Sequence, residues 1–394
     1  MIPEKRLGRS RLLMLAAITA CSVANGYYIH SIVAQVGQDL GVDAATAGIA
    51  PAANQIALAI GVLLLLPLGD ILDNRKLCLV FSGLQCLFLV AMAAAPDFAI
   101  FSLASGMVGL VTIVPYLLPA YAAKRVGGEQ LGQATAYLAV GVIIGIFFAR
   151  ISAGLVVAYW NWRVIYHAAA VAMLASCALI WLVMDADAPV SPRPRYRALL
   201  ASTVRLFLSS RPSLLAGVRQ VLNFGILISM WIALALHVTG AALRYGADTV
   251  SYLTIITLVS ALVTPGIARW AGRFGRDKAL TALVAAQIAA ILALLPVEDS
   301  LIWLAPPMFL LSATAGPVDV INRMVVLSSE PTERTRLMTG YIFVMFLGGG
   351  AASWTTTRLY ADAGWIGVLL LNAVLAGIAL LLALVPRAKP TSGA

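Results

Sequence analysis

The feature that most constrains this chain is a recurrence of apolar runs, each about 20 residues long and separated by short polar turns. They occupy approximately residues 12–36, 48–69, 77–95, 99–122, 132–158 and 164–184, then 217–238, 250–268, 279–296, 301–325, 336–357 and 364–385. A hydrocarbon core roughly 30 Å thick takes about 20 apolar residues to cross as a helix. Inside that layer no water bonds the backbone, so each run must satisfy its own amides as an α-helix. Twelve runs in a chain with 61% hydrophobic and 11% charged residues predict an all-α membrane protein of twelve transmembrane helices. Too little chain remains for a large soluble domain.

Between the sixth and seventh runs lies a polar stretch with Pro189, Pro192, Arg193, Pro194, Arg195 and Arg197. The expected organisation is therefore a bundle over 1–184, a cytoplasmic linker over 185–216 and a second bundle over 217–394. The net charge of +10 follows the same plan. With an inside N terminus, only Arg163, Arg244 and Arg358 fall on outside loops, and Arg150 lies within a run. Basic loops stay on the cytoplasmic side, which predicts that both termini are cytoplasmic. Basicity distributed this way belongs to a membrane protein and needs no nucleic-acid partner. The first run is too long for a signal peptide and has no small-residue cleavage site after it, so it is expected to be retained.

Cys21, Cys78, Cys86 and Cys177 all sit in apolar runs without CxxC spacing. They are read as packing residues, with no metal and no cofactor expected. Neither HExxH nor GxSxG occurs, which argues against an embedded enzyme. No Walker A motif occurs either, so energy would come from a gradient. A third class, a sensor on a transporter fold, would need an added signalling domain.

The two halves repeat. At an offset of about 203 residues, Gly145 and Trp162 map onto Gly348 and Trp365, and the hinge at Asp70 maps onto the stretch 266–278. Parallel repeats about an axis along the membrane normal are a transporter plan.

The hinge LPLGDILDNRK resembles the loop signature of the major facilitator superfamily, approximately G-x-L-x-D-R-x-G-R-R. Asp70 stands at its acidic position and Arg75-Lys76 at its basic end, while Leu66, Ile71 and Asp73 depart from it. The second-half copy keeps Arg273, Gly275 and Arg276, with Gly272 in place of the acid. Asn25-Gly26-Tyr27-Tyr28, the run Gln55 to Asp70, GIFFARISAGL with Trp162-Arg163 after it, and Asn322-Arg323 through Ser353 are similar to the bacterial arabinose-efflux-like permeases. The resemblance implies two pseudo-symmetric six-helix bundles in the bacterial cytoplasmic (inner) membrane. It implies proton-coupled secondary transport of a small organic solute by a monomer, in the direction of efflux by antiport. Proton-coupled uptake of an organic acid or a siderophore-like metal chelate is the alternative. In related antiporters, span 5 often carries a Pro where this chain has Arg150.

In that fold, spans 1, 4, 7 and 10 line the cavity, and polar residues there are costly unless they meet a partner, water or ligand. Ser22, Asn25 and Tyr28 are spaced by three and would share one face, with His30 just beyond. They read either as substrate surface or as interhelical hydrogen bonding. Arg150 either binds an anionic group or pins neighbouring helices. Asp319 and Arg323 have the spacing of a helical ion pair; alternatively, Asp319 carries a coupling proton, for which His30 is a second candidate. His167 and His237 fall near outer helix ends and read as structural. Gln55, Tyr116, Asn223, Trp231 and Tyr341 complete the expected cavity. Asp70, Arg75, Arg273, Arg276 and Arg323 form the expected gate. Spans 1 to 9 carry no mid-membrane acid, so the substrate is expected to be neutral or anionic. Pro115, Pro119, Pro306, Pro307, Pro317 and the run Gly348-Gly349-Gly350 predict kinks and close helix approach.

Overall fold

The computed structural model describes residues 8–187, 195–240, 243–297, 299–330 and 333–385, and among them there is no β-strand. The helices of the first half are α1 (Arg9–Ala24), α2 (Tyr28–Asp39), α3 (Ala44–Ala47), α4 (Ile49–Leu65), α5 (Asn74–Ala93), α6 (Phe98–Val111), α7 (Val114–Ala123), α8 (Gly128–Tyr159) and α9 (Arg163–Val183). After α10 (Tyr196–Ser209) come α11 (Arg211–Thr239), α12 (Ala247–Phe274), α13 (Arg276–Ala293), α14 (Leu301–Leu327) and α15 (Arg334–Leu384). Ten helical segments of the described chain are long and apolar enough to span a membrane. α15 holds two crossings, because Gly364 at φ 63° interrupts its 51 residues. α12 supplies the remaining one, which gives the twelve crossings that the runs predicted.

Two first-half crossings are broken rather than continuous. The first is interrupted at residues 25–27, between α1 and α2, and the fourth at 112–113, between α6 and α7. The second break precedes Pro115, which has no N–H to carry the helix ladder across it.

Small residues set the helix spacing inside each bundle. Cβ atoms added at Gly61 and Gly109 would strike the backbones of Leu110 and Asn54, locking α4 to α6. At Gly141 and Gly145 on α8 they would strike Ala16 and Ala20 on α1. In the repeat position, a Cβ on Gly348 of α15 would come within 2.5 Å of Val221 Cγ1 on α11. The offset pair Gly145 and Gly348 thus marks the same close approach in both halves. Where helices are surrounded by lipid, such packing and interhelical hydrogen bonds replace the hydrophobic effect as the cohesive force.

Polar contacts complete that packing. Ser22 donates to Gln85 Oε1 (3.0 Å), and Gln85 donates to Thr112 (2.5 Å), joining the first, third and fourth crossings. In the second half, Ser229 accepts from Thr356 (2.7 Å) and Asn372 (2.8 Å).

The stretch expected to be a linker is partly helical. Of its residues, 188–194 lie outside the described chain, but α10 buries Leu199, Thr203 and Phe207. Phe207 fills the space left by Gly217 and Gly340, which fixes α10 beneath the second bundle. Tyr196 donates to the Leu64 carbonyl of the first bundle (2.7 Å). The face carrying α10 is the linker face.

Asp187 is the hub of that face in the first bundle. Its carboxylate is 6% exposed and accepts from Arg125 (2.6 Å), Lys124 (3.1 Å), and the side chain (2.6 Å) and backbone (3.1 Å) of Asn74. Asp73 caps α5 by accepting from the Arg75 N–H (2.9 Å) and also accepts from the Asp187 N–H (3.2 Å). Burial opposes ionisation of Asp187, yet the Asn74 and Arg125 donors outweigh it and hold its pKa below the ordinary carboxylate value.

The bundles meet unevenly. α2 packs on α11, α8 on α12, and α3 and α4 on α15. Ser251 on α12 donates to the Ile151 carbonyl on α8 (2.9 Å), and Gly48 sits against Thr357. Among the described residues, α7 and α14, whose ends reach the linker face, do not pack extensively on one another. The seam is therefore tight away from the linker face and looser towards it.

Candidate functional site

The break in the first crossing organises the site. Gly26 and Tyr27 donate to the Val23 and Ala24 carbonyls (3.1 and 2.9 Å), a tighter turn that shifts the helical phase before α2 begins. Ser22, Asn25 and Tyr28 therefore do not share one face as a continuous helix would place them. Ser22 is bonded to Gln85, and the Tyr28 ring meets Tyr166 edge-on at 6.4 Å inside the first bundle. Tyr27 turns instead to the seam between the bundles. The Arg150 guanidinium lies 5.6 Å from the Tyr27 ring and 4.5 Å from the Trp231 ring of the second bundle, and His30 meets Tyr27 edge-on at 5.3 Å.

Arg150 is only 3% exposed. None of its nitrogens has a hydrogen-bond partner among the described residues, and no carboxylate lies within 4 Å. A charged side chain at the centre of a span costs about 3 kcal/mol on insertion scales. Two aromatic faces return about 1 to 2 kcal/mol when desolvated. Helix pinning would bond the guanidinium to acceptors on neighbouring helices, and no such bond is made among the described residues. Both ring nitrogens of His30 are also without partners, although the residue is 1% exposed.

A second polar cluster lies nearer the linker face. Arg323 Nε donates to Asp319 Oδ2 (2.7 Å), and the Tyr341 hydroxyl donates to Asp319 Oδ1 (2.8 Å). The side chains of Asp319 and Arg323 keep 25% and 36% of their accessible surface. Yet Asp319 is eight residues, roughly 12 Å, inside the end of α14. The pair is thus only partly covered although it lies well inside the helix. Tyr116 meets Phe346 edge-on across the seam (6.1 Å), and Phe346 meets Phe224 (5.5 Å).

The remaining expected residues are dispersed. Gln55 is fully buried with neither amide atom bonded among the described residues, and it faces Gly349 across the seam. Asn25 is 3% exposed with its Nδ2 unbonded. Asn223 joins three helices: it donates to Ala315 (3.0 Å) and Gln220 (3.2 Å) and accepts from Gln287 (2.8 Å). His237 stacks on Trp365 at 4.6 Å near the far end of the second bundle.

The expected gate residues do not form one cluster. Asp70 is exposed, has no ion pair within 4 Å, and lies in the field of Lys124 and of Arg336 from the second bundle. Arg75 donates to the Trp181 carbonyl (2.8 Å) and covers its ring, so it serves its own bundle. Arg273 and Arg276 are exposed on either side of Gly275, whose φ of 89° suits glycine. Arg323 belongs to the Asp319 cluster. Tyr27 and Asn322 were absent from the expected site. Asn322 is fully buried with both amide atoms unbonded among the described residues. Asn25-Gly26, a common helix-interrupting pair, was the signal that could have exposed Tyr27.

Comparisons agree with this architecture. Uncharacterized transporter YgaY of Escherichia coli O157:H7 is 26% identical over 386 residues, covering 96% of each chain. Probable transporter SCO4007 of Streptomyces coelicolor is 27% identical over 379 residues, covering 93% of this chain and 85% of its own. Among solved structures, a D-xylose-proton symporter superimposes with a TM-score of 0.75 at 15% identity, covering 95% of this chain and 96% of its own. The nucleoside transporter NupG does so with 0.73 at 14% identity and the same coverage. At such identities the structural likeness speaks for the fold alone. The family model of the Major Facilitator Superfamily matches residues 15–328, and this chain, a membrane transporter rather than an enzyme, belongs to that superfamily.

Proposed function

We propose that this protein is a proton-coupled secondary transporter of a small organic solute, neutral or anionic, working by alternating access as a monomer. The observation that carries the reading is the uneven seam. It is packed away from the linker face and looser towards it, with buried unbonded polar groups and an ion pair at intermediate depth. Rocking of two repeats about such a seam exposes the same groups to each side in turn.

Basic loops favour a cytoplasmic linker face and termini in a bacterial inner membrane. Export by antiport follows the resemblance of the residue 25–28 and 145–155 stretches to arabinose-efflux-like permeases. Asp319 is the proposed proton site, because its two oxygens already hold a cation and a phenol whose contacts would rearrange on protonation. Asn25, His30, Gln55, Tyr116, Arg150, Asn223, Trp231 and Tyr341 remain the proposed cavity set, joined by Tyr27 in place of Tyr28, whose ring packs on Tyr166 inside the first bundle. Asp70, Arg273, Arg276 and Arg323 remain the proposed gate set, while Arg75 is engaged within the first bundle by Trp181.

Proteoliposome counterflow of labelled sugars, nucleosides and organic acids, with and without a pH gradient, tests the proposal. The expected result is saturable exchange of at least one class, accelerated by the gradient. Absence of exchange for a solute that demonstrably binds would refute it.

A further inference from the structure

We infer that Arg150, held between Tyr27 and Trp231 with His30 beside it, is the receptor for the single negative charge of an organic anion. This rests on the transport reading of the seam and narrows its substrate class.

Four observations converge. Arg150 is buried and lacks a counter-ion and a hydrogen-bond partner among the described residues, so an incoming anion displaces no internal carboxylate. It stands where the bundles meet, with one aromatic wall from each, Tyr27 at 5.6 Å and Trp231 at 4.5 Å. A ligand there touches both halves, as a transported solute must. His30 offers one N–H and one lone pair in its neutral form, and both are unused. Finally, Arg323 is already neutralised by Asp319. The cluster therefore holds one unmatched positive charge, which balances a monoanion rather than a dianion. A guanidinium fork suits a carboxylate, which it can grip through two parallel hydrogen bonds.

The test uses acid and amide pairs of nearly the same size and shape, of which only the acid is charged: benzoate and benzamide, with indole-3-acetate and indole-3-acetamide as a larger pair. Thermal unfolding of the purified full chain in detergent reports binding. At least one acid is expected to stabilise the wild type at concentrations at least about 10-fold below its amide, the scale of losing a charge-assisted hydrogen bond. Arg150→Gln is expected to erase that preference, while Arg150→Lys retains part of it. Equal response to acids and amides, a preserved preference in Arg150→Gln, or no response to either acid would overturn the inference. The wild-type comparison decides it even where Arg150→Gln fails to fold. Counterflow of labelled benzoate and benzamide separates this inference from the transport reading. Acid-selective binding without flux would remove the transport reading and keep the site. Equal flux of acid and amide would keep transport and remove the site.

Discussion

Replacing Asp187 with alanine tests whether the linker face of the first bundle is held by one carboxylate. Removing one member of a buried charge pair costs about 3 to 5 kcal/mol. Two features reduce that here. Lys124 is 34% exposed, so its share is under about 1 kcal/mol. Arg125 retains the Asp185 and Ala186 carbonyls at 2.7 and 3.1 Å, so its guanidinium keeps acceptors. The expected loss is therefore about 2 to 3 kcal/mol, mostly from the 15% exposed Arg125 and from the Asn74 amides. Asp187→Asn keeps one acceptor oxygen and should lose about half as much. Reversible unfolding in mixed micelles of rising SDS fraction would measure these differences. A double-mutant cycle with Arg125→Gln should give a coupling of about 1 to 2 kcal/mol. A loss below about 0.5 kcal/mol for Asp187→Ala would refute the hub, because it would mean that the donors find water at no cost.

The same carboxylate sets a pH dependence. Its folded pKa is depressed, so its stabilisation is fully present above the unfolded value near 3.9. It disappears as pH falls through the folded value. Unfolding midpoints of wild type and Asp187→Asn should therefore differ at pH 6 and converge only once the pH has fallen below the depressed folded value. Asp319→Asn should leave solute exchange intact while abolishing its acceleration by a pH gradient; full acceleration in the mutant would exclude Asp319 as the proton site. Gly350→Leu should loosen the seam, because a Cβ there already meets Ile56 Cγ1 at 2.5 Å and the Ala52 carbonyl at 3.1 Å. In a background with Cys21, Cys78, Cys86 and Cys177 replaced by Ala, it should raise maleimide labelling of Thr357→Cys from the face opposite the linker. Unchanged labelling would show that this seam does not move.

Sequence alone determined the membrane class, the number of crossings and the internal repeat. These follow from run length, hydrophobicity and offset, which are local quantities fixed by bilayer thickness and helix rise. It also marked Arg150 and the Asp319–Arg323 pair, because charge inside an apolar run stands out whatever the fold. It did not determine which way the first crossing points its side chains. The turn at residues 25–27 rotates everything after it, so Tyr28 enters the first bundle and Tyr27 reaches the seam. Nor could periodicity reveal that the Asn223 amide joins three helices, or that Asp187, read as part of a polar linker, gathers four donors from two other segments. Those outcomes depend on which residues distant in sequence meet in space. Whether Arg150 has a partner is likewise a property of its neighbours on two bundles, and only the tertiary structure left it beside two aromatic rings with its charge unmatched.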